Sequence, residues 1–80
     1  MKYINRPVRT VVDFKPGIEP VPVFFVHEGR KVRIDRIISK ELIRRSFSNC
    51  VLYRCESGCR IVELRWDRHR DRWFIEKLGV

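Results

Sequence analysis

Arginine side chains close to aromatic residues are the part of this sequence best suited to bind a ligand. The chain of 80 residues has 18 basic and 10 acidic side chains, a formal net charge of +8, and most of its basic residues are arginine. Arginine makes planar, bidentate contacts to phosphate and stacks on flat rings, so this excess favours an anionic partner. A surface that is only well solvated would have the same composition, and that interpretation stays open.

Two segments meet the requirement for nucleic-acid binding, which is basic groups on one face and flat side chains on which bases stack. The first is the outward face of a hairpin, with Phe24 beside Lys31 and Arg33. The second is a loop of arginines with Arg65 and Phe74 at its base. The predicted nucleic-acid-binding residues are Phe24, Lys31, Arg33, Arg65, Arg68, Arg70 and Arg72. Since their contacts would be with phosphates, we expect a weak sequence preference.

Three cysteines, Cys50, Cys55 and Cys59, lie close together. An odd number of cysteines in a chain without a secretory signal indicates reduced thiols. Their spacing lacks the C-x-x-C pairs of structural zinc sites, and His27 or His69 would have to supply a fourth ligand. We expect small half-buried side chains without metal, with a Cys55–Cys59 disulfide across a turn as the alternative.

Catalysis has little support in this sequence. No serine lies in a Gly-x-Ser-x-Gly setting, and both histidines fall at polar turns. The carboxylates alternate with arginines instead of pairing with each other, and the glycines are isolated. We therefore expect a protein that is not an enzyme, with no catalytic residues, metal or cofactor.

The composition is that of one small domain spanning residues 1–80. Apolar residues make up 44% of the chain and aromatic residues 11%, too many for a disordered protein. Met1 to Thr10 has no apolar run of the kind that a signal peptide needs, and no apolar stretch is longer than Val23 to Val26. We expect a soluble cytoplasmic protein with no membrane partner.

The first hairpin is predicted from two runs rich in β-branched and aromatic residues, 21–27 and 30–38, around Glu28-Gly29. Pro20 and Pro22 cannot donate hydrogen bonds to a neighbouring strand, which favours an edge position. Strict alternation fails after Ile34, so we expect a bulge near Asp35-Arg36. Phe25 would pair with Val32 and Val23 with Ile34, which places these four apolar residues on one face of the hairpin.

The second hairpin joins residues 50–55 to residues 59–66. A two-residue turn at Ser57-Gly58 would place Tyr53 opposite Val62 and Val51 opposite Leu64, which are favourable cross-strand pairs. A three-residue loop would pair Leu52 with Val62 instead, and the residues leave this alternative open.

The third hairpin joins that strand to residues 73–78 through residues 67–72. Pairing Trp66 with Trp73 would place both indoles in the core, and Asp67 would form an ion pair with Arg72 at the neck of the loop. The residues expected on this buried face are Val62, Leu64, Trp66, Trp73 and Ile75. An apolar strip, Ile61, Phe74 and Leu78, would remain on the outer face and need a cover.

The fold class that follows is all-β, a five- to six-stranded antiparallel meander curled into a small barrel or a compact two-layer sandwich. Residues 7–14 are a plausible first strand, with Val8, Thr10, Val12 and Phe14 in one phase. Residues 39–46 could form a helical turn or continue the preceding strand, and the choice between them stays open.

Five short segments of the chain resemble those of a group of small bacterial β-rich proteins of unknown function. The segments are Pro22-Val23-Phe24-Phe25, Gly29-Arg30, Tyr53-Arg54, Val62-Glu63-Leu64 and Trp73-Phe74. The chain departs from that pattern in having no tryptophan in its middle strand, where Leu42 and Phe47 lie. Similar segments occur near bacterial translesion-polymerase-like proteins, which implies an accessory role with nucleic acid. The resemblance supplies no catalytic residues.

Together these observations predict a non-catalytic basic β-barrel module that binds nucleic acid through exposed arginine and lysine on its hairpins. The alternative is a protein-interaction or homo-oligomeric assembly module that docks through the apolar strip, with arginine around its rim.

Overall fold

A computed structural model describes the backbone of residues 2–45 and 47–79 and the side chains of residues 4–45 and 47–79. The described residues form one antiparallel seven-stranded sheet, which is curled into a half-barrel. The strands are β1 Lys2–Asp13, β2 Val21–His27, β3 Arg30–Arg33, β4 Arg36–Arg45, β5 Ser48–Ser57, β6 Arg60–Asp67 and β7 Arg72–Leu78. Their order across the sheet is β3-β2-β1-β7-β6-β5-β4. The all-β prediction is confirmed, but the number of strands is seven and a single sheet replaces the two-layer alternative.

The additional strand arises where one continuous strand was expected over residues 30–38. The chain leaves β2 at Ile34, whose amide donates to Val23 at 2.9 Å, and joins β5 at Asp35, whose amide donates to Glu56 at 2.8 Å. Because β3 and β4 are the opposite edges of the sheet, this short connection draws the two edges together at one corner. The irregularity expected at Asp35-Arg36 is therefore a strand break rather than a bulge.

Residues 39–45 belong to β4, so the helical alternative for this segment is wrong; Ser46 lies outside the described residues. The strand pairs with β5 from Arg36 opposite Glu56 to Arg45 opposite Ser48. This long ladder satisfies backbone groups that a short helix would leave unpaired at its ends.

The first and third hairpins have the expected registers. Phe25 pairs with Val32 across a turn in which Glu28 and Gly29 both have positive φ, 52° and 75°, as a type I′ turn requires. Trp66 pairs with Trp73 in the third hairpin, and Leu64 pairs with Ile75.

A bulge in β2 changes which side chains of the first hairpin are buried. On β1, Val11 pairs with Phe24 and Val12 pairs with Pro22, so Val23 is the extra residue. An extra residue moves the following side chains to the other face. Val23 is consequently exposed and Pro22 is buried, which corrects the expectation that Val23 shares the inner face with Phe25.

The register predicted for the second hairpin is wrong, because the turn lies at Gly58-Cys59. Tyr53 pairs with Leu64, and Val62 pairs with Cys55. Gly58 has φ of 59° at the first central position, where a type II′ turn places glycine. Since the shift is two residues, every side chain keeps its expected face.

The core lies on the concave face of the half-barrel. Trp73 is buried there, with its ring centroid 5.2 Å from that of Tyr53 and 6.1 Å from that of Trp66. Trp66 is only half-buried, and its indole N–H donates to Asp71 at 3.0 Å. The buried cluster consists of Phe25, Val51, Tyr53, Cys55, Val62, Leu64, Trp73 and Ile75. Val8 and Val12 of β1 pack against it as expected, whereas Phe14 is exposed beyond the end of the strand.

A bulge in β7 removes one residue from the apolar strip expected on the outer face. Glu63 pairs with Lys77 and Leu64 pairs with Ile75, so Glu76 is the extra residue. Leu78 therefore packs against the core cluster, and only Ile61 and Phe74 keep the expected outer position.

Candidate nucleic-acid interface

Three chain connections meet at one end of the half-barrel, because neighbouring strands run in opposite directions. They are the β1–β2 connection, the β4–β5 turn and the β6–β7 turn. We call this end, formed by residues 14–20, 44–45, 47–49 and 68–72, the basic end. Two of the aromatic side chains that the structure describes, Phe14 and Phe47, are exposed there.

Phe47 is the most exposed large apolar side chain described, at 95%. Its φ of 63° lies in the left-handed region, which bulky residues rarely adopt. With Asn49, Arg68 and His69 it lines a shallow depression, and the Arg68 amide donates to the Asn49 carbonyl at 3.3 Å. Phe47 is not among the residues predicted to bind nucleic acid, although a lone aromatic residue between two serines was a usable signal.

Asp67 organises the β6–β7 turn from inside. Its carboxylate accepts hydrogen bonds from the Ser48 hydroxyl at 2.6 Å and from the amides of His69 and Arg70 at 3.1 and 3.2 Å. Burial alone would raise the pKa of Asp67, but these hydrogen bonds and the nearby Arg70 lower it overall. The carboxylate therefore stays charged and fixes the turn.

The ion pair expected between Asp67 and Arg72 is replaced by a different contact. The two residues are paired across the strands, but the carboxylate turns toward the backbone amides of the loop and lies 4.0 Å from Arg70 Nε. Arg68, Arg70 and Arg72 are consequently all exposed at the basic end.

Arg65 does not belong to this exposed group, although it was predicted to bind nucleic acid. It is 7% exposed, with Nε 3.3 Å from Glu76 Oε2 and a terminal nitrogen donating to Asn5 at 2.8 Å. Its guanidinium also lies 4.1 Å from the centre of the Phe74 ring. The β7 bulge brings Glu76 to this position, so Arg65 is a structural residue and we exclude it from the interface.

The first predicted group lies on a different part of the sheet. Lys31 Nζ sits 4.1 Å from the centre of the Phe24 ring, and Arg33 is paired with Phe24 across the hairpin. Because β1 separates β2 from β7, the structure does not bring these residues together with Arg68, Arg70 and Arg72. Lysine occupies one ring face of the half-buried Phe24, which leaves less of that ring for stacking.

Two contacts hold the β1–β2 connection against the rest of the half-barrel. Tyr53 donates its hydroxyl hydrogen bond to the Pro20 carbonyl at 2.5 Å. Glu19 lies 3.3 Å from Lys40 Nζ, and this hydrogen-bonded pair lowers the pKa of the Glu19 carboxyl. These contacts tie the last residues of the connection, just before β2, to β5 and β4.

The cysteines have free thiols, and the alternative of a Cys55–Cys59 disulfide is wrong. Cys50 and Cys55 are fully buried rather than half-buried, whereas Cys59 is exposed in its turn. Within residues 2–45 and 47–79, no three His, Cys, Asp or Glu side chains lie close enough to hold a metal ion. The same residues contain no helix that could cross a membrane.

Comparisons with protein-family models, curated proteins and solved structures found no match to this chain. The resemblance to small bacterial β-rich proteins and to segments near translesion-polymerase-like proteins stays a prediction. The function must therefore be argued from the geometry of the half-barrel.

Proposed function

We propose that this chain is a non-catalytic basic β half-barrel that binds single-stranded nucleic acid at its basic end. The observation that carries the proposal is the exposed ring of Phe47 beside Arg68 and His69. An aromatic side chain in water has both ring faces open to a base, and stacking of this kind stabilises a bound base by about 1–3 kcal/mol.

The charge at the basic end supports a phosphate partner. Arg44, Arg68 and Arg72 are exposed, and none of them has a carboxylate within 4.0 Å among the residues that the structure describes. The two aspartates of the β6–β7 turn are engaged within the protein, Asp67 by Ser48 and backbone amides and Asp71 by the Trp66 indole. The charges of Arg44, Arg68 and Arg72 are therefore available to attract phosphates, whereas Arg70 also faces Asp67 at 4.0 Å.

The proposed binding mode favours single strands and reads little sequence. A base must be unpaired to stack on Phe47, and phosphate contacts carry no sequence information. Lys31 and Arg33 would extend the phosphate track only if the strand passed around the sheet. The proposal keeps the expectation from the sequence that the protein acts in the cytoplasm.

The proposal is tested by fluorescence anisotropy with labelled single-stranded and duplex oligonucleotides that carry no 5′-phosphate. Replacing Arg68 and Arg70 together by alanine should weaken binding and reduce the slope of log affinity against log salt by about 1.4, at ~0.7 per phosphate lost. A matched control is the double change Arg30→Ala with Arg60→Ala, which removes the same charge from the opposite end of the half-barrel. That control should leave the salt slope unchanged.

The variant Phe47→Gly separates stacking from stability. Glycine adopts positive φ at little cost, so the domain should be no less stable than the unmodified protein. Affinity for single strands should nevertheless fall by about tenfold, equivalent to ~1.4 kcal/mol of stacking. The proposal fails if no oligonucleotide changes the anisotropy at low salt, or if both double variants weaken binding equally.

Self-association or docking of a protein partner is the second candidate function. Leu42 is 70% exposed and Ile38 is 41% exposed on β4, which is an edge strand of the sheet that the described residues form and pairs there with β5. Unpaired edges with apolar side chains can add a further strand. Sedimentation over a range of protein concentrations would show a rising mass if this candidate is correct.

A further inference from the structure

A cavity opens at the end of the half-barrel opposite the basic end, and basic residues outnumber acidic ones among the residues that line it. Three arginines from three different strands line it, Arg6 of β1, Arg30 of β3 and Arg60 of β6. We call it the arginine cavity. It shares no residue with the basic end, so a ligand bound there would be independent of the proposed nucleic-acid binding.

Tight turns position two of these arginines. Arg30 follows the Glu28-Gly29 turn and is paired with His27, and Arg60 follows the Gly58-Cys59 turn and is paired with Ser57. Each arginine is the first residue of its strand, so its backbone is held by the adjacent turn and ladder. The strand pairing therefore brings the arginines together without any local sequence motif.

The charge of the arginine cavity is not balanced within the protein. Glu28 is the one acidic side chain among its lining residues, and it lies 3.8 Å from Arg6 and 3.7 Å from His27 Nε2. Arg30 and Arg60 have no carboxylate within 4.0 Å in the described part of the chain. Two guanidinium groups thus remain available for an anion.

His27 adds a polar group to the wall of the cavity. Its side chain is only 12% exposed, and its Nδ1 atom is buried with no hydrogen-bond partner in the protein. Because that atom is closed to solvent, a ligand in the cavity would meet the exposed part of the imidazole rather than Nδ1.

The remaining lining residues are apolar. Ile4, Val32 and Leu78 line the cavity and also pack against the core cluster. An apolar floor below charged groups is typical of sites that hold the body of a small molecule and orient it by its charged end.

We propose that the arginine cavity binds a small organic phosphate monoester. A phosphate monoester carries close to two negative charges and three acceptor oxygens, which match the two unpaired guanidinium groups and their planar, bidentate contacts. The organic part of the ligand would lie on the floor formed by Ile4, Val32 and Leu78. A mouth at one end of a β-barrel is a common place for such a site.

The test uses ¹H–¹⁵N NMR of the full chain with phenyl phosphate and inorganic phosphate as probes. Phenyl phosphate should shift the side-chain signals of Arg30, Arg60 and His27 and should bind about tenfold more tightly than inorganic phosphate, because its ring buries apolar surface on the floor. Arg30→Ala with Arg60→Ala should weaken binding by about tenfold or more, as expected for the loss of charge-assisted hydrogen bonds. Arg68→Ala with Arg70→Ala removes the same charge elsewhere and should change nothing.

Oligonucleotides with and without a 5′-phosphate distinguish a free ligand from the end of a nucleic-acid strand. Phenyl phosphate should shift these signals in either case. If the phosphorylated oligonucleotide also shifts them and the unphosphorylated one does not, the cavity accepts the phosphate at the end of a nucleic-acid strand. The proposal is overturned if millimolar phenyl phosphate leaves these three side chains unchanged, or if both double variants weaken binding equally, which would show diffuse charge attraction. Either result leaves the Phe47 test unaffected, because that test uses oligonucleotides without a 5′-phosphate.

Discussion

Burial divides the three cysteines into two chemical classes. Cys50 and Cys55 are fully buried, and burial raises the pKa of the Cys55 thiol to about 12. Cys59 is exposed at the second central position of the β5–β6 turn. The thiolate is the reactive form, so access and pKa together determine which thiol reacts.

We expect one cysteine of the native protein, Cys59, to react rapidly with Ellman's reagent. The other two thiols should react only after the domain unfolds, because both are closed off from solvent. Stopped-flow absorbance with and without denaturant measures the number of rapid thiols. Cys59→Ser should remove the rapid phase, and three thiols reacting at one rate in the native protein would contradict the structure.

Trp73 contributes to stability chiefly through the side chains around it. It is buried against Tyr53 and Trp66, so Trp73→Ala should lower the free energy of unfolding by about 3–5 kcal/mol. Such a loss is enough to unfold so small a domain at equilibrium. Urea denaturation followed by circular dichroism checks this value.

The half-buried Trp66 provides the comparison for Trp73. Trp66→Phe keeps an aromatic ring in place and should cost less, because only the hydrogen bond to Asp71 and part of the packing are lost. The emission of Trp73 alone, measured in that variant, should be shifted to the blue. Red-shifted emission from Trp73 would show that it is not in the core.

At the scale of single strands, the β7 bulge places Glu76 in a buried ion pair with Arg65. A strand whose side chains alternate regularly between the two faces would not form it. Glu76 is 2% exposed and lies between Arg65 at 3.3 Å and Arg45 at 3.2 Å. A buried charge that loses its partner is strongly destabilising, whereas removing both members of a pair is much less so.

Replacing Glu76 alone should therefore be more harmful than replacing the pair. Glu76→Ala should cost about 3–5 kcal/mol, because Arg65 stays buried and keeps, among the described side chains, Asn5 alone as a hydrogen-bond partner. The double change Glu76→Met with Arg65→Met should be clearly less destabilising than the single one. Urea midpoints of the three proteins provide the comparison, and equal losses would show that the pair has no electrostatic role.

The same elements show what could be predicted from the sequence. Glu28-Gly29 could be placed because one pair of residues fits a type I′ turn between two apolar runs. Gly58 can supply the positive φ as the second residue of a Ser57-Gly58 turn or as the first residue of a Gly58-Cys59 turn. The sequence therefore could not determine the register of the second hairpin. The bulges at Val23 and Glu76 were missed because alternation alone assumes a regular ladder.

The exposure of the candidate site residues could be predicted only where the local sequence controls it. Arg68 and Arg70 lie in a polar turn and Arg72 directly follows it, and all three are exposed as the composition indicates. Arg65 lies in a strand, and its burial depends on Glu76 and Asn5, which are distant in sequence. The arginine cavity depends on three strands meeting, so no local pattern could indicate it.

For the molecule as a whole, the open half-barrel is held together by few contacts across its open side. The corner at Ile34 and Asp35 joins the two sheet edges, and the Asp35 carboxylate accepts a hydrogen bond from the Gly58 amide at 2.6 Å. The β1–β2 connection adds contacts through Tyr53 and Lys40. Strand pairing alone leaves these edges open, so such contacts should control how well the half-barrel keeps its shape.

Because of Tyr53, the contacts that close the half-barrel should weaken at alkaline pH. Burial, with smaller effects from the charges of Glu19 and Cys55, raises the pKa of Tyr53 from 10.0 to about 12. A pKa that is higher in the folded protein means that the fold favours the protonated phenol. This contribution to stability is therefore complete below about pH 10 and is lost as the pH rises toward 12.

We expect Tyr53→Phe to change both the size and the pH dependence of stability. At pH 8 the variant should lose about 0.5–1.5 kcal/mol, because the Pro20 carbonyl loses its hydrogen bond. Between pH 8 and pH 11 the unmodified protein should lose more stability than the variant, in which no phenol has to ionise at this position. Urea denaturation of both proteins at both pH values gives their free energies of unfolding. Lysines titrate in both proteins, so their effect is removed when the two losses are subtracted. Equal losses in the two proteins would show that Tyr53 ionises as easily in the folded state as in the unfolded state, and that its contact with the β1–β2 connection does not close the half-barrel.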